Sequence, residues 1–245
     1  MLSALATDIC AGLGVAGAAA LAAGGFAYAS QWPGSRIFGT ALTAPQRPGE
    51  IALTFDDGPN PAWTPRLLDT LAKHEVKATF FMLGKFAEEQ KELVRRVAAE
   101  GHLIGNHTWT HPKLSTSSAS RIEGELRLTK EVLEQIVGAR VKLFRPPFGA
   151  RRPAVFRIAR ELGLEPVLWN AMTNDWDEPP AEKIASTLSR RVDALKNRGY
   201  AANIVLHDGN YREAVGRRGP SVTAAGMILE HYKAGAKFVT LESWR

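Results

Sequence analysis

The sequence predicts an α/β fold built from parallel β–α units, with about seven strands. Short apolar runs of strand character alternate with segments of helical periodicity over residues 50–245. Several helical segments stop at a glycine, and several apolar runs end in charged or polar residues. The chain has 245 residues, of which 45% are hydrophobic and 23% charged, so one large α/β domain with a complete core is within reach.

The first predicted strand, Ile51–Phe55, runs into Asp56-Asp57 and the turn pair Gly58-Pro59. The other predicted strands are residues 78–83, 102–105, 141–144, 166–170, 203–206 and 237–241. The predicted helices are residues 64–74, 85–100, 120–137, 153–162, 181–197 and 222–233. This alternation fits either an open doubly wound sheet or a closed barrel.

The charge pattern argues against a nucleic-acid partner. The net charge is +6, but lysine and arginine are interleaved with glutamate in residues 88–96 and 121–134, as in solvated helix faces. The chain also lacks the G-x-G-x-x-G fingerprint and the P-loop, which weakens a nucleotide-binding interpretation. Cys10 is the only cysteine, so no intrachain disulfide is possible and the compartment is not settled by cysteine usage.

The N-terminal residues carry a different signal. No charged residue occurs from Ile9 to Ser35, and residues 9–29 have the length of one membrane-spanning helix. Ala27-Tyr28-Ala29 also resembles a signal-peptidase site. We therefore expect residues 1–30 to form a hydrophobic membrane anchor or signal-like segment, residues 31–49 a linker, and residues 50–245 the α/β domain.

These features predict a membrane-anchored or exported protein of the cell envelope. The orientation stays open because the first eight residues contain no lysine or arginine. The nearest basic residues, Arg36 and Arg47, follow the hydrophobic segment.

Polar side chains follow the ends of several predicted strands: Asp56, Asp57, His107, Arg145, Asp175 and His207. In a barrel of parallel strands these ends share one rim, so the six residues would form one site. Two adjacent aspartates repel each other unless a positive group lies beside them. A metal ion would allow one carboxylate to bind it and the other to handle protons.

His107 and His111 have i, i+4 spacing, which predicts two rings on one side of a helical turn. With one aspartate they supply two nitrogens and one oxygen, a set typical of a catalytic zinc site with open positions. The same set also accepts cobalt, nickel or iron, so the metal is not fixed by the ligands.

Five motifs in order resemble those of the NodB-type polysaccharide deacetylases, carbohydrate esterase family four. They are Thr54-Phe55-Asp56-Asp57-Gly58-Pro59, His107-Thr108-Trp109-Thr110-His111, Arg145-Pro146-Pro147-Phe148-Gly149, Asp175-Trp176 and Leu206-His207-Asp208. The resemblance covers residues 50–241. It implies a distorted (β/α) barrel and a metal-dependent hydrolase that removes acetyl groups from polysaccharides.

The resemblance also implies a role for each matching residue. Asp56 would be the general base, and Asp57, His107 and His111 the metal ligands. Arg145 would pair with the base, His207 would be the general acid, and Asp175 would orient His207. The substrate-binding residues would be Phe148, through its backbone N–H, and also Pro146, Trp176 and Leu206, the last two lining a slot for the acetyl methyl group.

Two positions depart from the family pattern. Phe148 stands where tyrosine is frequent, so a hydroxyl contact to sugar would be lost, and Met172 stands where an earlier aspartate is frequent. We expect deacetylation of an N-acetylated glycan such as a chitooligosaccharide or peptidoglycan. The alternatives are an O-acetyl esterase and a catalytically silent, membrane-tethered glycan-binding protein.

Overall fold

A computed structural model of the protein describes residues 21 and 23–245. Most of the predicted membrane-associated stretch, residues 9–20 and residue 22, lies outside the described residues. The strands are β1 Glu50–Gly58, β2 Thr79–Met82, β3 Leu103–Asn106, β4 Leu143–Phe144, β5 Glu165–Pro166, β6 Ala171–Met172, β7 Ala202–His207 and β8 Lys237–Phe238. The helices that follow β1 are α1 Thr64–Lys73, α2 Gly84–Glu89, α3 Lys91–Ala99, α4 Ala119–Val137, α5 Pro153–Glu161, α6 Ala181–Asn197 and α7 Gly219–Tyr232.

All of the paired strands are parallel, and seven of them follow the order β5-β4-β3-β2-β1-β7-β6. Its two ends, β5 and β6, belong to the same short segment, residues 165–172. That segment pairs with β4 at its start and with β7 at its end, which curls the sheet into a distorted barrel. The predicted barrel fold is therefore confirmed.

Two predicted elements are divided in the structure. Residues 166–170 were expected to form one strand, but Pro166 ends β5 and residues 167–170 connect it to β6 across the gap in the sheet, so pairing within the sheet occurs only at the two ends. Residues 85–100 were expected to form one helix, but Gln90, at φ −118° and ψ 43°, interrupts it between α2 and α3. Helical periodicity continues across such a break, so the pattern does not reveal it.

The alternation of side chains along β1 separates the core from the site. Ile51, Leu53 and Phe55 belong to the large hydrophobic core of the barrel and helices. Thr54 and Asp56 point the other way and accept hydrogen bonds from Arg145 in the barrel interior. The strand therefore stabilises the fold with one face and positions polar groups with the other.

Residues 42–45 cover the gap that the segment 165–172 spans. Leu42 forms a parallel bridge with Val167, and its N–H donates to the Pro166 carbonyl at 2.9 Å. The side-chain amide of Asn203 on β7 donates to the Thr43 carbonyl at 2.8 Å. Part of the predicted linker thus packs on the barrel, while the domain boundary at residue 50 remains a prediction.

Within residues 21 and 23–245, none of the helices combines the length and the apolar character that crossing a membrane requires.

Candidate active site

A cavity of about 850 Å³ lies where the carboxyl ends of the central strands meet. Its walls include seven of the predicted site residues: Asp56, Asp57, His107, His111, Phe148, Trp176 and His207. The strand-end pattern of the sequence therefore brings most of the predicted residues together.

A bulge at the end of β1 turns two adjacent aspartates into the same cavity. The pairing of β1 with β2 shifts register between Asp56 and Gly58, and Asp57 has a left-handed φ of 70°. In a regular strand, neighbouring side chains point to opposite faces. The bulge removes that alternation, as such irregularities do beside active sites.

Asp57, His107 and His111 form a compact, buried cluster. Their ligand atoms all lie within 4.8 Å of one another. Asp57 Oδ1 is 3.4 Å from His107 Nε2 and 3.2 Å from His111 Nε2, and among the residues that the structure describes this oxygen has no hydrogen-bond partner. Three converging ligand atoms, one of them this buried oxygen, fit a divalent cation.

The expected helical turn at His107–His111 is wrong. The stretch is an irregular loop in which Thr108 and His111 have left-handed φ values of 72° and 63°. The two rings nevertheless come together, with centroids 5.1 Å apart. Loop geometry, not helical spacing, brings the histidines together.

The protonation states of His107, His111 and Asp57 suit the binding of a cation. His107 Nδ1 lies 2.8 Å from the Arg145 carbonyl, so this nitrogen carries the proton and Nε2 is free as a ligand. Burial lowers the pKa of His111, which favours the neutral ring that a metal needs. Burial raises the pKa of Asp57, but His107 and His111 outweigh it and hold that pKa well below its usual range.

A buried glutamate on α4 holds the histidine loop. Glu125 Oε2 accepts hydrogen bonds from the backbone N–H groups of Trp109 at 2.9 Å and Thr110 at 2.7 Å. Asn106 supports the same loop, accepting from the Thr108 N–H at 2.9 Å. The expectation that residues 121–134 form only a solvated face is wrong at Glu125, which is 8% exposed because the loop covers it.

Arg145 is fully buried beside the predicted base. Its Nη1 donates to Asp56 Oδ1 and to Thr54 Oγ1, both at 2.7 Å. Its guanidinium also lies over the Phe81 ring, 4.2 Å from the centroid. Burial lowers the pKa of Arg145, and the Asp56 charge opposes that effect. The ion pair fixes which oxygen of Asp56 remains available to the cavity.

His207 on β7, in register with Asp56 on the neighbouring strand β1, is held by Asp175. Its ring Nδ1 lies 2.9 Å from Asp175 Oδ1, and its backbone N–H donates to Asp175 Oδ2 at 2.8 Å. Burial alone would lower the pKa of His207, but the carboxylates of Asp175, Asp57 and Asp56 raise it to about 9. Because Nδ1 is engaged, Nε2 is the nitrogen available to a substrate.

Aromatic rings surround His111 and His207. Tyr211 stacks on the His111 ring at a centroid distance of 4.3 Å, and the Phe148 ring meets the same ring edge-on at 4.6 Å. The Trp176 ring meets the His207 ring edge-on at 5.4 Å. Phe148, which also lines the cavity, has a left-handed φ of 58°.

Two predicted substrate-binding residues lie elsewhere. Leu206 belongs to the hydrophobic core, and the preceding residue, Val205, lines the cavity instead. The strand alternates sides, so Val205 and His207 face the site while Leu206 faces the helices. Pro146 is buried and is not part of the cavity wall, because the chain turns there from β4 into the short helix at Phe148.

Several contributing residues were not predicted. Ser221 on α7 donates to Asp175 Oδ2 at 2.7 Å, which completes the support of that carboxylate. Asp208 is buried and accepts a hydrogen bond from the Thr64 hydroxyl, and burial raises its pKa to about 7. Asp208 could have been predicted from its position directly after His207 in the last motif. No feature of the sequence marked Ser221 as a site residue.

Comparison with known proteins agrees with this site. Residues 43–167 match the polysaccharide deacetylase family model. A peptidoglycan-N-acetylglucosamine deacetylase of Bacillus cereus is 37% identical over 204 residues, 83% of this chain and 70% of that protein. A chitooligosaccharide deacetylase of Azorhizobium caulinodans is 35% identical over 174 residues, 71% of this chain and 80% of that protein.

The fold has solved counterparts. A crystal structure of a peptidoglycan N-acetylglucosamine deacetylase in complex with 4-naphthalen-1-yl-N-oxidanyl-benzamide superposes with a TM-score of 0.74. It is 35% identical and covers 83% of this chain and 91% of that one. The chain therefore belongs to the polysaccharide deacetylase family, and it is a hydrolase that acts on amide bonds.

Proposed function

We propose that the protein removes the N-acetyl group of N-acetylglucosamine residues in a glycan chain, of the chitooligosaccharide or peptidoglycan kind. The observation that supports this most directly is the Asp57–His107–His111 cluster, which shares one cavity with Asp56 and His207. The relatives that carry these two activities by name agree with the proposal.

The cluster would hold a divalent cation, and we propose zinc. Its two imidazole nitrogens and one carboxylate oxygen match that ion, and three protein ligands leave coordination positions open. A bound cation would supply a Lewis acid that acidifies water and polarises the acetyl carbonyl.

Asp56 is the proposed general base. Arg145 holds one of its carboxylate oxygens at 2.7 Å, which leaves the other to take a proton from the attacking water. Asp56 Oδ2 lies 4.0 Å from His107 Nε2, so the base is next to the ligand cluster. A positioned base of this kind contributes roughly 100- to 10,000-fold to the rate.

His207 is the proposed general acid, with Asp175 as its orienting partner. When the C–N bond breaks, the sugar nitrogen needs a proton to leave as an amine, and His207 Nε2 would donate it. The raised pKa of His207, about 9, keeps the ring protonated at neutral pH. The products are acetate and a glycan with a free amine.

The backbone N–H of Phe148 is the proposed second donor to the oxyanion that forms when water attacks the carbonyl. The residue lines the cavity in a left-handed conformation, and its ring packs on His111. Trp176, beside His207, is the proposed contact for the acetyl methyl group.

The cellular setting is also a proposal. A polymeric, acetylated wall glycan would place the protein in the cell envelope, and the N-terminal part of residues 9–29 would attach it to a membrane. The relatives that act on peptidoglycan by name support the envelope assignment.

The test is acetate release by the full-length protein from N-acetylchitopentaose and from peptidoglycan fragments, with Asp56→Asn as the control. Release by the wild type that drops at least about 100-fold in Asp56→Asn supports the proposal. Release only from O-acetylated glycans would show an esterase. Binding of glycans without release of acetate would show a silent binding protein.

A further inference from the structure

The N-terminal segment, residues 23–38, forms one wall of the catalytic cavity. Residues 23–31 are helical, and Ala27, Tyr28, Gln31 and Trp32 line the cavity together with Asp56 and His107. The spacing of these four residues places them on one side of the helix. Part of the segment that composition assigned to an anchor and a linker therefore contributes to the site.

Arg151 fastens this segment to the domain. Its guanidinium is fully buried and donates to the backbone carbonyls of Trp32 at 2.6 Å, Ser35 at 3.1 Å and Ser30 at 3.3 Å. The Arg151 backbone N–H donates to the Ser30 carbonyl at 2.9 Å. A buried cation at the carboxyl end of a helix satisfies carbonyls that the helix leaves unpaired.

The segment has two aromatic side chains that are exposed rather than buried in the core. The Tyr28 and Trp32 rings are stacked at 17°, with centroids 6.2 Å apart. Tyr28 is 52% and Trp32 60% exposed, whereas Ala29 and Ser30 between them are buried against the domain. Exposed aromatic rings on the wall of a cavity are typical of ligand contacts rather than of core packing.

We propose that Tyr28 and Trp32 form a stacking surface for a sugar ring next to the one being deacetylated. The apolar C–H face of a pyranose ring is complementary to an indole or phenol ring, and both rings line the cavity that contains Asp57. This inference rests on the proposed function and extends it, because it makes the protein prefer chains over single sugars.

The same rings would also suit a membrane interface, where tryptophan and tyrosine are frequent. The sugar contact is favoured because Arg151 holds the segment at the catalytic cavity and both rings lie on its wall. A membrane contact would require neither of these arrangements.

The experiment compares Trp32→Ala and Tyr28→Ala with wild type in the full-length protein. The readouts are kcat/KM for acetate release from N-acetylglucosamine and N-acetylchitopentaose, and calorimetric binding of the pentamer. We expect kcat/KM and affinity for the pentamer to fall roughly 3- to 10-fold while kcat/KM for the single sugar, which has no neighbouring ring, stays within about twofold. Trp32→Phe should restore part of the loss.

Ile37→Ala, which removes a 66%-exposed side chain that does not line the cavity, is the matched control.

Unchanged pentamer kinetics and affinity in Trp32→Ala would overturn the inference. So would equal losses on the single sugar and the pentamer, or reduced binding to phosphatidylglycerol vesicles as the sole effect. Calorimetry keeps the inference separate from the proposed function. A wild type that binds the pentamer without releasing acetate refutes the deacetylase proposal, and the affinity of Trp32→Ala still decides whether the rings contact sugar. A wild type that does not bind the pentamer refutes the stacking surface.

Discussion

Asp175 binds His207 twice, at the ring Nδ1 at 2.9 Å and at the backbone N–H at 2.8 Å. The ring contact adds a negative charge beside the imidazole, and the backbone contact fixes where the ring can lie. Ser221 holds the second carboxylate oxygen at 2.7 Å, so Asp175 itself has little freedom. Orientation and protonation of the proposed acid therefore depend on the same carboxylate.

The pH dependence of deacetylation should report the protonation of His207 beside Asp175. The Asp175 carboxylate is the first of the charges that raise the pKa of His207, so the alkaline limb of kcat/KM should fall near pH 9 in wild type. Asp175→Asn removes that charge. The pKa should drop, and the alkaline limb should move to lower pH by roughly 1 to 3 units.

The measurement is acetate release from N-acetylchitopentaose between pH 6 and 10, with wild type and Asp175→Asn side by side. Asp177→Asn is the control, because Asp177 lies in the same short helix and is not among the residues that raise the pKa of His207. An alkaline limb that stays in place in Asp175→Asn would show that another group controls it.

The buried Arg145–Asp56 pair should be costly to break. Arg145→Met leaves the Asp56 charge inside the barrel without its partner, so the free energy of unfolding should fall by about 3 to 5 kcal/mol. The double variant Arg145→Met with Asp56→Asn removes both charges and should recover part of that loss. Urea unfolding followed by circular dichroism measures all three proteins.

An exposed ion pair is the control for the Arg145 variants. Arg157 and Glu161 on α5 lie 2.8 Å apart with both side chains more than half exposed. Arg157→Met should change the free energy of unfolding by less than about 1 kcal/mol. Equal losses in Arg145→Met and Arg157→Met would contradict a buried charge pair at Asp56.

Glu125 should control metal affinity without contacting the metal. Its carboxylate holds the backbone of Trp109 and Thr110, and this fixes the loop that carries His107 and His111. Glu125→Ala should weaken zinc binding roughly 10- to 100-fold, as loss of support around a metal site commonly does. Calorimetric zinc titration measures it, and the exposed Glu131→Ala on the same helix should leave the affinity unchanged.

The fastening of the N-terminal segment can be tested through Arg151. Arg151→Met removes the donors to the carbonyls of Ser30, Trp32 and Ser35, so residues 23–38 should become accessible to protease. The free energy of unfolding should fall by roughly 2 kcal/mol or more, because hydrogen bonds from a charged group are lost. Arg127→Met, at an exposed pair with Glu123, should change neither property, and identical digestion of the two variants would refute the role of Arg151.

The sequence carried enough information for the ligand cluster but not for its support. Asp57 and His107 could be predicted to meet because the carboxyl ends of parallel strands in a barrel share one rim. His111 was placed beside them by a helical spacing that the loop does not have. The left-handed turn at Asp57 could not be predicted, because a bulge depends on how β1 pairs with β2. Glu125 has the appearance of a surface charge on an amphipathic helix, and only the loop packed over it makes it a structural residue.

The error at Leu206 and the unpredicted packing of residues 23–38 on the domain have separate physical reasons. A one-residue difference in strand register exchanges the two faces, so motif position alone could not separate Leu206 from Val205. Composition marked residues 1–30 as apolar, but composition does not show that Ser30 meets the buried Arg151. Both features depend on contacts between residues far apart in the chain.

The central claim is that Asp57, His107 and His111 hold the cation that deacetylation requires. Acetate release from N-acetylchitopentaose, titrated with zinc after chelation of the full-length protein, tests it most directly. The wild type should be inactive when stripped and regain activity at one equivalent of zinc, whereas His111→Ala should need at least about tenfold more zinc or stay inactive. Full activity in the stripped wild type, or an unchanged zinc requirement in His111→Ala, would contradict the account.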